Sequence, residues 1–176
     1  MRSIVFAILA CATAFAAQAE TENFDSTSPG ALPESWEAGV TGSGNSRWAV
    51  GADPTAPSGK NVLQQTGRGT FPWCVKKNVS LAGGFVEVKF KPLSGKEDRA
   101  GGVLWRWKDG NNYYVARANV WHTLRVEFKD QHISVLLDGK RHIDLDDTHI
   151  AGPGAVGVWT KADSVTSFDD FSYGTF

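Results

Sequence analysis

The residues best suited to chemistry in this 176-residue chain lie between Gly101 and Asn119, where GGVLWRWKDGNNYYVARAN reads as a β-hairpin with two unlike faces. Strand alternation puts Val103, Trp105 and Trp107 on one side and Leu104, Arg106 and Lys108 on the other. Asp109, Gly110, Asn111 and Asn112 supply the turn. On the return strand Tyr114, Ala116 and Ala118 join the tryptophans, small beside large as a core requires. The opposite face then gathers Arg106, Tyr113, Arg117 and Asn119. Rings stack on the C–H faces of sugars, and guanidinium and amide groups hydrogen-bond hydroxyls, so this face predicts a carbohydrate ligand. A plain solvated sheet face is the bland reading. Against it, two arginines on adjacent strands repel unless something polar or anionic sits between them.

Neighbouring residues extend the candidate site. Trp121 and Glu127 share the parity of Arg117 if alternation continues, which makes Glu127 the candidate acid/base; Asp98 and Arg99, just before Gly101, are candidate rim contacts. A retaining glycosidase needs two carboxyl groups about 5–5.5 Å apart, commonly from one strand. No such run exists: Glu87 and Glu127 each stand between apolar residues, and Asp144, Asp146 and Asp147 in IDLDD read as a solvated strand edge. His122 falls in line with Leu124 and Val126, which suits a packed or rim histidine, and His132, His142 and His149 have no zinc spacing. Cys74, next to Trp73, reads as a buried thiol, and Trp36, Trp48 and Trp159 read as core. FDDF at 168–171 together with Asp25 raises structural calcium. A strand-end cap is the favoured reading, so no cofactor is expected and no metal ligands are assigned.

The elements that must position these groups are strands. Helical periodicity is nearly absent, whereas short alternating runs recur at 48–50, 61–66, 85–91, 102–108, 113–119, 122–128, 132–137, 140–144, 155–160 and 164–173. Around ten short strands with turns between them imply an all-β sandwich of two antiparallel sheets. One stretch breaks the rhythm: residues 113–128 hold no Gly, Pro or Asp, yet as a single strand they would span roughly 53 Å, far beyond the usual ~17–20 Å. A sharp bend or sheet switch near Asn119 is therefore expected.

Residues 1–19 have the form of a secretory signal: Arg2, an apolar run from Ser3 to Ala16, and Ala17-Gln18-Ala19 as the cleavage site. The apolar run is shorter than the roughly 20 residues a membrane span needs. Export to the periplasm or medium follows, with residues 20–176 as one β-sandwich domain. Cleavage removes Cys11 and leaves Cys74 alone, which excludes an intramolecular disulfide. A net charge of −1 gives no electrostatic footprint for nucleic acid.

SGKNVLQQTG (58–67), SGKEDRAGGVLWRWKDGNNYYVARAN (94–119), WHTLRVEF (121–128), LLDGK (136–140) and VGVWTKADSVTSFDDF (156–171) together carry a resemblance. The chain resembles the secreted concanavalin A-like sandwiches known as 3-keto-disaccharide hydrolase-like or family 16 glycoside hydrolase-like proteins. That resemblance implies a jelly-roll sandwich with a concave face associated with carbohydrate. It also shows a departure. Members continue after the RAN triplet with about one further hairpin, whereas here Asn119 runs directly into Val120-Trp121-His122. A narrower concave face with an incomplete rim is expected. The resulting reading is an exported carbohydrate-binding sandwich using Arg106, Tyr113, Arg117 and Asn119, with Asp98 and Trp121 beside them. Its alternatives are a hydrolase of keto-sugars or disaccharides using Glu127, and an envelope module that self-associates through an exposed strand edge.

Overall fold

Residues 19–118 and 122–176 are described by a computed structural model. Among them thirteen strands form two antiparallel sheets. They are β1 (Ala19–Glu22), β2 (Trp36–Asn45), β3 (Trp48–Ala52), β4 (Asn61–Gln65), β5 (Arg68–Lys76), β6 (Gly84–Ser94), β7 (Gly101–Asp109), β8 (Asn112–Ala118), β9 (His122–Lys129), β10 (His132–Leu137), β11 (Lys140–Asp146), β12 (Ala155–Thr160) and β13 (Val165–Gly174). One sheet runs β2-β5-β12-β7-β8. The other runs β11-β10-β9-β6-β13-β4-β3, with β1 added alongside β13. No helix among the described residues is long and apolar enough to cross a membrane.

Period-two alternation builds the main core. On β6, Val86, Val88 and Phe90 are buried while Phe85, Glu87 and Lys89 are not. On β9, Leu124, Val126 and Phe128 point inward in the same way. Trp36, Cys74, Val103, Trp105, Ala116 and Val158 answer them from the five-stranded sheet. The expected change of sheet near Asn119 is present, since β8 belongs to one sheet and β9 to the other. Asn119 and Trp121 themselves lie outside the described residues, as does the signal segment apart from Ala19, which opens β1 opposite Gly174.

Sequence alternation overlooked β1, β2 and β5. β2 reads WEAGVTGSGN, too glycine-rich to look like a strand, and β5 contains Pro72, which ordinarily argues against a central strand. Both lie in the five-stranded sheet, and both supply the site described next.

Candidate functional site

The hairpin of β7 and β8 forms with Val103 opposite Ala116 and Leu104 opposite Val115, but the register shifts between Trp105 and Asp109. Against β12, Leu104 pairs with Gly157 and Trp107 with Ala155, so β7 carries one extra residue there. This is a β-bulge, and Arg106 sits in it with φ +51°. A bulge reverses face parity. Arg106 therefore points inward beside Trp105 instead of outward beside Tyr113, and Trp107 goes outward instead of into the main core. Arg106 is 2% exposed. Its guanidinium donates to the carbonyls of Ile150 (2.9 Å) and Asp130 and lies 5.7 Å from the centroid of Phe128. Left-handed backbone on a side chain of this size costs about 1–2 kcal/mol, offset here by the charge-assisted bonds it permits. Arg106 thus ties two loop carbonyls together from beneath the sheet and does not stand on the face of Tyr113 and Arg117.

The outward face of the five-stranded sheet is arranged in rows. Gly39, Trp73, Trp159, Gly102 and Arg117 stand side by side across all five strands, and Glu37, Val75, Gly157, Leu104 and Val115 form the adjoining row. Trp73, Val75, Leu104, Trp159 and Ala100 are buried as a second core, with Phe71, Trp107, Tyr113 and Val115 against it. Gly39 is required there: the indole of Trp73 lies where a side chain at position 39 would project. Trp107 packs on Trp73 with centroids 5.4 Å apart, and Phe71 stacks on Trp159 at 5.8 Å and 21°.

What buries this face is a bridge between opposite sheet edges. The Thr41 hydroxyl on β2 lies 2.6 Å from the Tyr113 hydroxyl on β8 and also donates to the Gly110 carbonyl. The hairpin tip is drawn across the face, and its turn is held by Asp109, which accepts from the Asn111 N–H (2.8 Å) and the Asn112 amide (2.9 Å). Those donors hold the Asp109 carboxyl below its ordinary range, the Asn111 N–H first. Tyr113, expected as a stacking partner, is instead half of the closure.

Beyond the bridge the face opens at one end into a cavity of about 560 Å³. Its floor includes Phe71, and its walls carry Ser43, Asn45, Thr70, Arg68, Glu97 and Lys161. The volume falls within the ~300–1,000 Å³ of small-molecule sites. Three loops meet there, and polar side chains fix them. The amide of Gln65, fully buried, donates to the carbonyls of Gly67 (3.0 Å) and Ser164 (3.2 Å) and accepts from the Arg47 N–H (3.2 Å). Asp163 accepts from the N–H groups of Lys96 (2.9 Å), Glu97 (3.0 Å) and Asp98 (3.2 Å), which pulls its carboxyl down to about 2.

Asp98 and Arg117, both expected in the site, are brought together at its margin. Asp98 accepts from Arg117 at 3.3 Å and pairs with Lys161 at 3.2 Å. Glu97 pairs with Arg68 at 2.7 Å. Glu127 is elsewhere: on β9 its side chain faces away from the main core on the other sheet, bonded to Arg125 at 2.8 Å, with Arg125 over the Phe85 ring. The expectation that Glu127 and Arg117 share a face fails because the chain changes sheets between them. Gln65, Phe71, Thr41 and Asp163 were missed; only Phe71, an aromatic two residues from Trp73, offered any sequence signal.

Asp25 and Asp169 approach one loop, but each is taken up by hydrogen-bond donors. Asp25 accepts from the Lys60 and Asn61 N–H groups, both at 3.0 Å, and Asp169 from the Ser58 N–H (3.0 Å) and hydroxyl (2.7 Å). Among the described residues no group of three or more His, Cys, Asp or Glu is placed to hold a metal ion.

No family model and no curated protein sequence matches the chain. Solved structures do. The carbohydrate binding module CBM66 from Bacillus subtilis aligns with a TM-score of 0.58 and 16% identity over 80% of this chain and 96% of that one. The Bacillus licheniformis β-glucanase aligns with a TM-score of 0.55 and 12% identity over 90% and 98% of the two chains. A mixed linkage glucan GH16 from Bacteroides ovatus gives 0.55 and 10% identity over 87% and 98%. At such identities the likeness is one of fold, and with the two antiparallel sheets it makes this chain a concanavalin A-like jelly-roll sandwich.

Proposed function

We propose that the protein is an exported carbohydrate-binding sandwich whose ligand enters the cavity at the open end of the five-stranded sheet. The observation that carries this is the cavity itself, where a half-exposed ring, Phe71, lies among hydroxyl, amide, guanidinium and ammonium groups that suit a hydroxylated ligand. The similar structures named as a carbohydrate binding module and as glucanases favour the same ligand class. Export rests on the signal pattern of residues 1–19, with Glu20 as the mature N-terminus.

Binding fits the site better than hydrolysis does. Glu97 in the wall and Asp98 at the margin are each paired with cationic partners, and Glu127 is on the other sheet. Membership among the 3-keto-disaccharide hydrolase-like proteins rests on the sequence motifs alone. The test is calorimetry of the mature protein with mono- and disaccharides, their 3-keto derivatives and soluble polysaccharides, with product release followed in parallel. Heat without turnover, lost in Phe71→Ala, supports the proposal; turnover of a keto-disaccharide would replace it with the hydrolase reading.

One observation favours a second reading, an interaction module. β8 and β11 end their respective sheets, and between them a cleft of about 380 Å³ is lined mainly by apolar residues, Ile133, Val135, Ile143 and Leu145 among them, with Arg117 and Asp147 also in its lining. Ile143 and Leu145 are 45% and 44% exposed. An added strand from a partner would pair with β8 and cover both. Sedimentation of the mature protein, compared with Ile143→Lys, tests self-association by this route.

A further inference from the structure

We infer that the cavity receives the end of a saccharide chain and not an internal stretch. This deepens the carbohydrate reading and rests on it.

A chain bound internally must continue past the site in two directions. Here one direction is obstructed. The Thr41–Tyr113 contact and the Thr41–Gly110 bond carry the hairpin tip from β8 to β2, across the full width of the face. Immediately behind it Trp73 and Trp159, 7% and 6% exposed, are packed against Trp107 and Phe71 and cannot serve as further stacking platforms. Phe71 is the ring left at the cavity, with its other face on Trp159. Around it Asn45 at the end of β2, Arg68 and Thr70 at the start of β5, and Glu97 and Lys161 on two loops supply donors and acceptors from several directions. Encirclement of this kind suits a terminal sugar ring, whose hydroxyls point outward on all sides but one.

The experiment compares soluble glucans, xylan and fructan, each intact and after partial acid hydrolysis that multiplies chain ends at constant mass. Binding capacity of the mature protein is measured by calorimetry. End recognition predicts that sites per gram rise in proportion to ends, and that the disaccharide of the bound polymer competes fully. Equal capacity per gram before and after hydrolysis would overturn end recognition while leaving carbohydrate binding intact. No heat with any polymer, hydrolysate or disaccharide would overturn the carbohydrate reading and this inference with it. Thr41→Val, which deletes both hydroxyl contacts with little change of shape, supplies a second readout. Loosening the bridge is expected to raise capacity for intact polymer towards that of the hydrolysate; unchanged capacity in a Thr41→Val variant shown by amide exchange to have a mobile hairpin tip would count against the bridge as the obstruction.

Discussion

The hydroxyls of Thr41 and Tyr113 meet at 2.6 Å although their strands lie at opposite edges of the same sheet. This contact closes the outer face of the five-stranded sheet over a second core, with the cavity at one end. Tyr113→Phe removes one hydrogen bond and leaves the Thr41–Gly110 bond in place, so a loss of about 0.5–1.5 kcal/mol is expected in denaturant unfolding. Amide exchange of residues 109–112 is expected to rise more than that of the main core.

Arg106 tests the assignment of structure against ligand contact. Arg106→Met removes the charged donor from the carbonyls of Asp130 and Ile150, at a cost of about 1.5–3 kcal/mol per charge-assisted bond. Arg106→Lys, a single point donor, is expected to restore part of the midpoint. Saccharide affinity of the folded protein is expected to be unchanged in both, because Arg106 faces the main core.

Two titrations run in opposite senses. Asp163 has its carboxyl pulled from 3.8 down to about 2, first by the Lys96 N–H and then by the Glu97 and Asp98 N–H groups. Its contribution is therefore complete above about pH 4 and is lost as pH falls towards 2. Amide shifts of residues 96–98 are expected to follow that range and to lose the dependence in Asp163→Asn. His132 is raised above 6.5, mainly by its bond to Asp146, with Asp144 adding to it. Its contribution to the β10–β11 hairpin is present below 6.5 and lost as pH rises through the raised value. Proton NMR of the imidazole checks this, and Asp146→Asn is expected to lower the midpoint.

Cys74 is fully buried on β5, and burial first, then the charge of Glu37, pushes its thiol well above its ordinary range. Thiol reagents at neutral pH are expected to modify it only as fast as the protein unfolds. Rapid labelling of the native protein would contradict the packing of the main core.

Much of the fold was legible because strands with one buried face advertise themselves. Val86, Val88 and Phe90 alternate with Glu87 and Lys89, and the absence of a breaker across 113–128 pointed to the change of sheet. The site was less legible for three physical reasons. The bulge at Arg106 inverts parity without any glycine or proline to mark it. β2 is rich in glycine because Trp73 occupies the space above Gly39 and Gly42 and Gly44 take positive φ, and that pattern resembles a loop. The cavity is assembled by long-range hydrogen bonds from Gln65 and Asp163, whose partners no local pattern identifies. Asp98 with Arg117 was found because both flank the hairpin that alternation had already located.

The proposed ligand site is the cavity over Phe71 and not the face bearing Glu127. Calorimetry of the mature protein with its best-bound saccharide, alongside Phe71→Ala and Glu127→Gln, tests it in one experiment. Loss of the stacking ring is expected to weaken binding at least about tenfold, equivalent to about 1.4 kcal/mol, while Glu127→Gln leaves it unchanged. Full affinity in Phe71→Ala, or a comparable loss in Glu127→Gln, would contradict the account.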